Sequence, residues 1–167
     1  MTPADDGPGA EPPVLRRIEV DGATLRQASA LQSAEWRILA EELGRADLRG
    51  ETPVDALVVE RTHAFARVRL EGATGVVRAV DVGTPTLLKL FDEYAGTVRQ
   101  MMDGSLPLPR IEALDMAKKV VHDRAGRQLR TLLPELLGDL EAFRRLFSLV
   151  VSMRVDPSEM SRARRHG

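Results

Sequence analysis

Two kinds of hydrophobic pattern alternate along the chain. Short β-branched runs bounded by turn residues predict strands, and apolar residues that recur every three or four positions predict helices. The predicted strands span residues 15–20, 56–61, 64–70 and 76–82. The predicted helices span residues 28–43, residues from Pro85 to a break at 104–109, residues 110–123 with an extension to Leu133 left open, and residues 140–153.

Local signals mark where several of these elements begin and end. Thr84 followed by Pro85 is typical of an N-cap with proline at the first helical position. Gly44 occupies the position expected of a glycine that follows a helix. The predicted irregular segments are the turn at Asp21 and Gly22, the polar loop at 45–52 and the break at 134–138.

The middle strand of the predicted sheet has one apolar face and one charged face. Ala66, Val68 and Leu70 alternate with Arg67 and Arg69, which is typical of a sheet with one face in solvent. Most strands precede most helices, so the predicted fold class is α+β: a small antiparallel sheet of three or four strands, covered on one face by about four helices. The last helix is apolar over more than half of its circumference and should be the most buried.

Composition changes at both ends of the chain. Residues 1–13 hold four prolines, two glycines and three acidic residues without an apolar period, which predicts a disordered N-terminal tail. Residues 155–167 end in a run of arginines and predict a flexible basic tail. A single α+β domain is predicted between them, at residues 14–154.

The composition of the chain excludes several classes of protein. It contains no cysteine, which rules out disulfides, cysteine-based zinc sites, iron–sulfur clusters and cysteine nucleophiles. Its formal net charge is −1, so no overall field draws it to nucleic acid or to a membrane surface. The first residues lack the pattern of a signal peptide, and no apolar run is long enough to span a membrane. We therefore expect a cytoplasmic protein without a membrane partner.

The helix at 110–123 carries the strongest candidates for catalysis. Asp115, Lys118 and His122 are predicted opposite its apolar residues, where a carboxylate and an imidazole could act together in general base catalysis. Asp115 and His122 are roughly 10 Å apart along the axis, so a substrate, a water molecule or Lys118 would have to lie between them. The alternative is an ordinary solvated face. The predicted apolar arc consists of Ala113, Leu114, Met116, Ala117, Val120 and Val121.

Four further residues are candidates for binding a ligand or a partner. Trp36 on the first long helix is either an exposed anchor for a partner or a residue at the edge of the core. Arg67, Arg69 and Arg78 are predicted to line one region of the sheet, where they could contact phosphate or RNA. Only Phe65 alternates with them, whereas proteins that bind single strands add stacking aromatics. A solvated sheet face is the alternative.

Motifs for metals and nucleotides do not occur in the sequence. His63 and His166 have no second His, Asp or Glu at the spacing of metal ligands. The chain also lacks Gly-x-Gly-x-x-Gly, a phosphate-binding loop and Gly-x-Ser-x-Gly. We therefore expect no metal and no cofactor.

The C-terminal half carries a motif that resembles a known family. Residues 111–116 (Ile-Glu-Ala-Leu-Asp-Met), His122, Leu129 and residues 144–150 (Arg-Arg-Leu-Phe-Ser-Leu-Val) are similar to the C-terminal signature of uncharacterised protein family 0262 of alphaproteobacteria. The order of elements over residues 15–153 also resembles that family. The resemblance implies a bacterial protein with the same order of elements, and no particular activity.

Three functions are compatible with the sequence. The leading prediction is a non-catalytic module that binds a protein or ligand or has a regulatory role, because catalytic motifs are missing. The first alternative is a small enzyme in which His122 is the general base, with Asp115 and Lys118 beside it. The second is association with RNA or the ribosome through the sheet arginines and the arginines of the C-terminal tail, which the net charge of −1 does not favour. The partner stays unidentified; a homo-oligomer would form if helix 140–153 buried part of its apolar arc in a second copy.

Overall fold

The computed structural model describes residues 11–154, which form six strands and five helices. Residues 1–10 and 155–167, which include most of the predicted N-terminal tail and all of the predicted C-terminal tail, lie outside the described residues. The α+β fold class is confirmed. The strands are β1 Arg17–Val20, β2 Leu48–Gly50, β3 Ala56–Arg61, β4 Ala66–Gly72, β5 Gly75–Asp81 and β6 Leu136–Gly138. The helices are α1 Gly22–Gln27, α2 Ala30–Arg45, α3 Pro85–Met101, α4 Leu108–Leu132 and α5 Leu140–Ser152.

Four of the strands form one mixed sheet in the order β1-β3-β4-β5. β3, β4 and β5 are the predicted antiparallel meander, with Val68 opposite both Val59 and Val80. β1 pairs parallel with β3, so the prediction of a purely antiparallel sheet is wrong at this edge. The reason is that α1, α2 and β2 lie between the two strands in sequence, and a connection of that length returns the chain to the end of the sheet where β1 began.

The centre of the hydrophobic core is α5. Asp139 begins this helix as its N-cap, and the carboxylate accepts a hydrogen bond from the Ala142 N–H at 2.9 Å. α2 and α4 pack against it, and Phe143, Leu146 and Phe147 have no exposed surface. The prediction that this helix is the most buried is confirmed. Its apolar arc is covered by other parts of this chain.

The prediction of a helix start at Thr84 and Pro85 is confirmed, whereas the prediction of a turn at Asp21 and Gly22 is wrong. Thr84 caps α3 and Pro85 is its first residue, as predicted. Asp21, predicted in a turn, instead begins α1, because its carboxylate accepts hydrogen bonds from the N–H groups of Ala23 and Thr24. Aspartate before glycine suits a turn and an N-cap equally well. Burial of Thr24, whose hydroxyl accepts a hydrogen bond from the backbone of β3, selects the helix.

A second, two-stranded sheet pairs β2 with β6 in the antiparallel direction. Both strands lie in segments predicted to be irregular, residues 45–52 and 134–138, so these two predictions are wrong. Each strand is three residues long, which is too short to show an alternating pattern. The pair is held because Leu48 and Leu136 are buried in the common core.

Gly50 in β2 and Gly44 in α2 should respond oppositely to alanine. A methyl group at Gly50 would overlap the Val54 carbonyl oxygen and lie 2.8 Å from Leu15 Cδ2, so Gly50→Ala should lower the free energy of unfolding by about 1–3 kcal/mol. Gly44 lies inside α2 rather than after it, and its methyl group would meet nothing within 4 Å. Gly44→Ala should therefore raise the free energy of unfolding by about 0.5 kcal/mol. Urea unfolding measures both values, and a stabilised Gly50→Ala would contradict this packing.

Candidate functional site

The face of α4 that meets the core differs from the predicted one. The predicted arc is right for Leu114 and Val121, which are buried, and wrong for Met116 and Val120, whose side chains are 60% and 52% exposed. The reason is that α4 continues to Leu132, and an apolar row that runs from Leu114 to Leu129 sets which side faces the core. That row consists of Leu114, Val121, Ala125 and Leu129.

The three candidate catalytic residues of α4 do not come together as a site. The Asp115 carboxylate is paired with Lys119, 3.0 Å from its Nζ, and not with Lys118. His122 is partly buried and packs against aromatic rings instead of lying on a solvated face. Its Nε2 atom is buried and has no hydrogen-bond partner among residues 11–154. The acid–base arrangement that the sequence offered as one of two alternatives is therefore not formed.

His122 belongs to an aromatic junction between three helices. The centroid of its ring lies 5.1 Å from that of Tyr94 in α3 and 5.3 Å from that of Phe147 in α5. Tyr94 and Phe147 meet edge to face at 5.9 Å. Burial raises the pKa of the Tyr94 hydroxyl, and the charge of Glu35 in α2 raises it further. Ring contacts of this kind stabilise the packing of helices, so the geometry gives His122 a structural role.

The His122 imidazole should make the stability of the fold depend on pH. Burial lowers its pKa, and the positive charges of Arg144 and Lys118 lower it further, against the opposing charges of Asp123 and Glu141. The unfolded chain therefore binds a proton more readily than the folded chain. The free energy of unfolding should be highest above pH 6.5, the ordinary pKa of histidine, and should fall as the pH decreases towards the folded-state pKa.

Two histidine variants test this dependence by urea unfolding between about pH 8 and 5. His122→Phe should flatten the loss of stability at acidic pH, because phenylalanine keeps the ring contacts and binds no proton. His63→Gln, at an exposed position between β3 and β4, should follow the wild-type curve. Equal loss of stability in both variants would show that burial of the His122 imidazole does not control the pH dependence.

Arg67 and Arg69 lie on the solvent face of β4, as predicted, but neighbouring carboxylates balance their charges. Arg69 pairs with Asp21, Glu60 and Glu71 at 2.8–3.1 Å. Arg67 pairs with Glu60 at 2.9 Å. The face therefore carries a closed network of ion pairs in place of free cations, and such a surface does not favour phosphate or RNA.

The pKa values of Asp21 and Arg69 shift in the directions that hold this network together. Burial raises the pKa of the Asp21 carboxyl, but hydrogen bonds from the Thr24 N–H and from Arg69 outweigh burial and leave the pKa lowered. Burial lowers the pKa of Arg69, and hydrogen bonds to Glu71 and Asp21 outweigh it and leave the pKa raised. Both groups therefore stay charged at neutral pH and remain paired.

Arg78 does not share a face with the other two arginines, so the prediction that all three line one region is wrong. The register of β4 and β5 places Arg78 opposite Leu70, whose side chain is buried on the face that the helices cover. Its guanidinium pairs with Glu135 at 2.6 Å and donates a hydrogen bond to the Leu132 carbonyl at the end of α4. Arg78 thus attaches α4 to the sheet.

Trp36 is a core residue and not an exposed anchor. No part of its side chain is exposed, and its indole N–H donates a hydrogen bond to the Ser152 carbonyl at 3.3 Å. The Arg61 guanidinium lies 5.2 Å from the centroid of the indole ring, in cation–π contact. Because the end of α5 lies beside α2, the tryptophan is turned towards the core.

A groove lies between α2 and β1, with a volume of about 460 Å³, and we call it the α2–β1 groove. Its α2 residues recur once per helical turn, singly or as adjacent pairs, and follow one face of the helix over roughly 16 Å. They are Ser33, Trp36, Arg37, Ala40, Glu41 and Gly44. The residues on and beside β1 cover about the same length. They are Leu15, Arg16, Ile18, Glu19 and Val20.

The outer edge of β1 presents unpaired backbone groups beside this groove. The Asp21 N–H donates a hydrogen bond to the Val59 carbonyl of β3 at 2.9 Å. Because successive residues of a strand direct their backbone groups to opposite edges, Glu19 also faces β3, and Ile18 and Val20 face outwards. In the described part of the chain, the backbone N–H and C=O groups of Ile18 and Val20 form no backbone hydrogen bond outside the sheet. An edge of this kind can pair with a further strand.

The α2–β1 groove was not predicted from the sequence. Its two walls come from separate segments, a strand predicted at residues 15–20 and a helix predicted at residues 28–43, and the sequence did not indicate that they lie side by side. Of the sequence-predicted candidates, Trp36 supports its floor from below, and Asp115, Lys118 and His122 take no part in it.

Two other kinds of site are not found within residues 11–154. No three His, Asp or Glu side chains in this range lie close enough together to hold a metal ion. No helix in the same range combines the length and the apolar character needed to cross a bilayer.

The fold and the groove define a small α+β protein in which a helical layer covers a mixed sheet and leaves a groove at the sheet edge. The model of the Uncharacterised protein family (UPF0262) matches residues 86–156, which include α4, α5 and all of α3 except its first residue. A UPF0262 protein of Maricaulis maris (strain MCS10) is 30% identical over 146 residues, which is 82% of this chain and 91% of that protein. The chain therefore belongs to the UPF0262 family, as its C-terminal motif predicted. No solved structure matches it.

Proposed function

We propose that this protein is a peptide-binding module whose α2–β1 groove takes an extended segment of a partner protein. The observation that carries the proposal is the unpaired edge of β1 beside a groove of about 460 Å³. The partner segment would add one strand to the sheet at Ile18 and Val20. A strand added to a sheet edge gains main-chain hydrogen bonds, and pockets for its alternate side chains supply specificity.

The groove has the composition that such a site requires. Ile18, Val20 and Ala40 give it an apolar wall on each side, and Trp36 makes the floor rigid from below. Ligand sites combine an apolar lining with a few polar groups that fix orientation. Here the backbone groups of β1 supply that polar part, and they favour an extended peptide because their spacing matches a second strand.

The two alternative functions have less support. General base catalysis needs His122 to lie within reach of a proton to abstract, whereas its Nε2 atom is enclosed and its ring packs on Tyr94 and Phe147. RNA binding needs free cations, whereas Arg67 and Arg69 are engaged by carboxylates on the same face. The tail arginines, which the same hypothesis invoked, lie outside the described residues.

A displayed library of random 12-residue peptides, selected on the full chain, tests the proposal. A selected peptide would be synthesised and its Kd measured by calorimetry against wild type and two groove variants. Ile18→Pro removes an outward N–H at a strand edge, where proline is tolerated. Ala40→Trp fills the groove from the α2 side. Each variant should weaken binding at least about tenfold, because each removes part of the strand site.

Matched controls separate the groove from general effects on the fold. Ile18→Val keeps the N–H and the side-chain shape and should bind as wild type does. Met116→Trp places the same large side chain on the exposed face of α4, away from the groove, and should also bind normally. Circular dichroism verifies that each variant is folded. Selected peptides that bind Ile18→Pro and Ala40→Trp as tightly as wild type would overturn the proposal, as would a library from which no binder is enriched.

A further inference from the structure

We infer that the partner segment runs antiparallel to β1 and carries an acidic residue two positions before a basic residue, read by Arg37 and Glu41. This inference rests on the proposed function and adds the direction and the charge order of the peptide. Four observations lead to it: the opposite directions of β1 and α2, the free charges on α2, the pairing of the charges on β1, and the spacing of the two free charges.

The two walls of the groove run in opposite directions. The Leu15 N–H donates a hydrogen bond to the Leu48 carbonyl at 3.3 Å, and Leu48 follows closely on the end of α2. The start of β1 therefore lies near the end of α2. At the other end, Val20 leads through the short helix α1 to Ser29, the N-cap of α2. The groove thus has one end marked by Leu15 and another marked by Val20.

The wall formed by α2 carries one free charge of each sign. Arg37 and Glu41 are exposed, and neither forms an ion pair within residues 11–154. Since α2 runs from the Val20 end to the Leu15 end, Arg37 lies nearer Val20 and Glu41 lies one turn nearer Leu15. The groove is therefore positive towards one end and negative towards the other.

The charges on the β1 wall are already engaged. Arg16 is paired with Asp55 at 3.2 Å, and Glu19 lies 3.5 Å from Arg17. Among the described residues, only the charges on α2 are therefore free to pair with charges on a ligand in the groove. Opposite charges placed along a groove set the register of a ligand and exclude the reversed one.

The spacing of Arg37 and Glu41 fixes the spacing in the peptide. Four helical residues rise by about 6 Å, and two strand residues rise by about 6.6 Å. Side chains two positions apart in a strand point to the same face, so both partners of the α2 charges can face α2 at once. Antiparallel pairing is the more stable arrangement per residue. An antiparallel segment enters at the Val20 end, so its acidic residue, which meets Arg37, precedes its basic residue.

The test compares two synthetic 12-residue peptides of identical composition, both derived from a groove-binding peptide selected on wild type. One carries Asp-x-Lys at the groove-facing positions and the other carries Lys-x-Asp. Wild type should bind the Asp-x-Lys peptide about three- to tenfold more tightly, with the difference shrinking as salt is added. The double variant Arg37→Glu, Glu41→Arg should reverse the preference, since both charge contacts then become repulsive for the original order.

The outcomes separate this inference from the proposed function. Peptides that lose affinity for Ile18→Pro but show no charge-order preference would overturn the inference and leave the groove site in place. A wild-type preference for Lys-x-Asp would overturn the antiparallel direction. Peptides that bind Ile18→Pro unchanged would overturn the groove site, and the inference with it. A preference that the double variant inverts supports both.

Discussion

Replacing Phe147 by alanine is expected to lower the free energy of unfolding by about 3–5 kcal/mol. The side chain has no exposed surface and lies where α3, α4 and α5 meet. Its ring packs edge to face on Tyr94 at 5.9 Å and on His122 at 5.3 Å. Truncation removes both ring contacts and leaves a cavity between α3, α4 and α5. The three helices cannot move inwards to fill it, because α5 is also held in place by its contact with α2.

Urea unfolding followed by circular dichroism measures this loss, with Met116→Ala as the control. Met116 lies on α4 and is 60% exposed, so its truncation should change the free energy of unfolding by no more than about 0.5 kcal/mol. Comparison of Phe147→Ala with Met116→Ala also tests which side of α4 faces the core, because the sequence alone placed Met116 in the buried arc. A large loss for Met116→Ala with a small loss for Phe147→Ala would mean that α4 is packed the other way round.

Trp36→Ala should lower the free energy of unfolding by a similar amount, about 3–5 kcal/mol, for a different reason. The indole fills the space between α2 and the end of α5 and has no exposed surface. Its removal leaves the Ser152 carbonyl without the indole N–H and the Arg61 guanidinium without the ring below it. A buried acceptor that loses its donor adds a desolvation cost to that of the cavity.

The neighbouring variant Arg37→Ala provides the control for Trp36→Ala. Arg37 is exposed and should affect the free energy of unfolding by no more than about 0.5 kcal/mol. Trp36 is the single tryptophan of the chain, so the fluorescence of wild type reports on this position alone. An emission maximum typical of water-exposed indole in the native state, together with a small loss for Trp36→Ala, would contradict the burial of this residue.

Local patterns were sufficient for the elements that obey them over their full length. The meander was predictable because Ala66, Val68 and Leu70 alternate with arginines, and this alternation fixes which face is buried. α3 was predictable because Thr84 and Pro85 mark its start. α5 was predictable because its apolar residues cover most of its circumference, so an error in helical phase changes little.

Elements that depend on distant partners were not predictable. β2 and β6 are short and form only because Leu48 and Leu136 reach the same core. The parallel pairing of β1 depends on where the crossover returns the chain, which no local signal specifies. Asp21 before Gly22 is ambiguous by itself, and the burial of Thr24 decides in favour of the helix.

The candidate site shows how helical phase can mislead. α4 carries two apolar rows, and residues 111–123 alone favour the row that contains Met116 and Val120. Extending the window to Leu129 shows the competing row, which includes Ala125 and reaches further along the helix. The longer row faces the core because it buries more surface. His122 lies beside this row on the helix and therefore points inwards. Catalysis by His122 was therefore inferred from the wrong face.

Hydrogen exchange at the backbone amide of Ile18 tests the peptide-binding groove most directly. We expect that a peptide selected on wild type slows exchange of the Ile18 N–H at least about tenfold, because this outward group gains a partner when a strand is added. The Glu19 N–H, which already faces β3, should change little. Slowed exchange confined to another part of the chain, with Ile18 unaffected, would contradict the groove as the binding site.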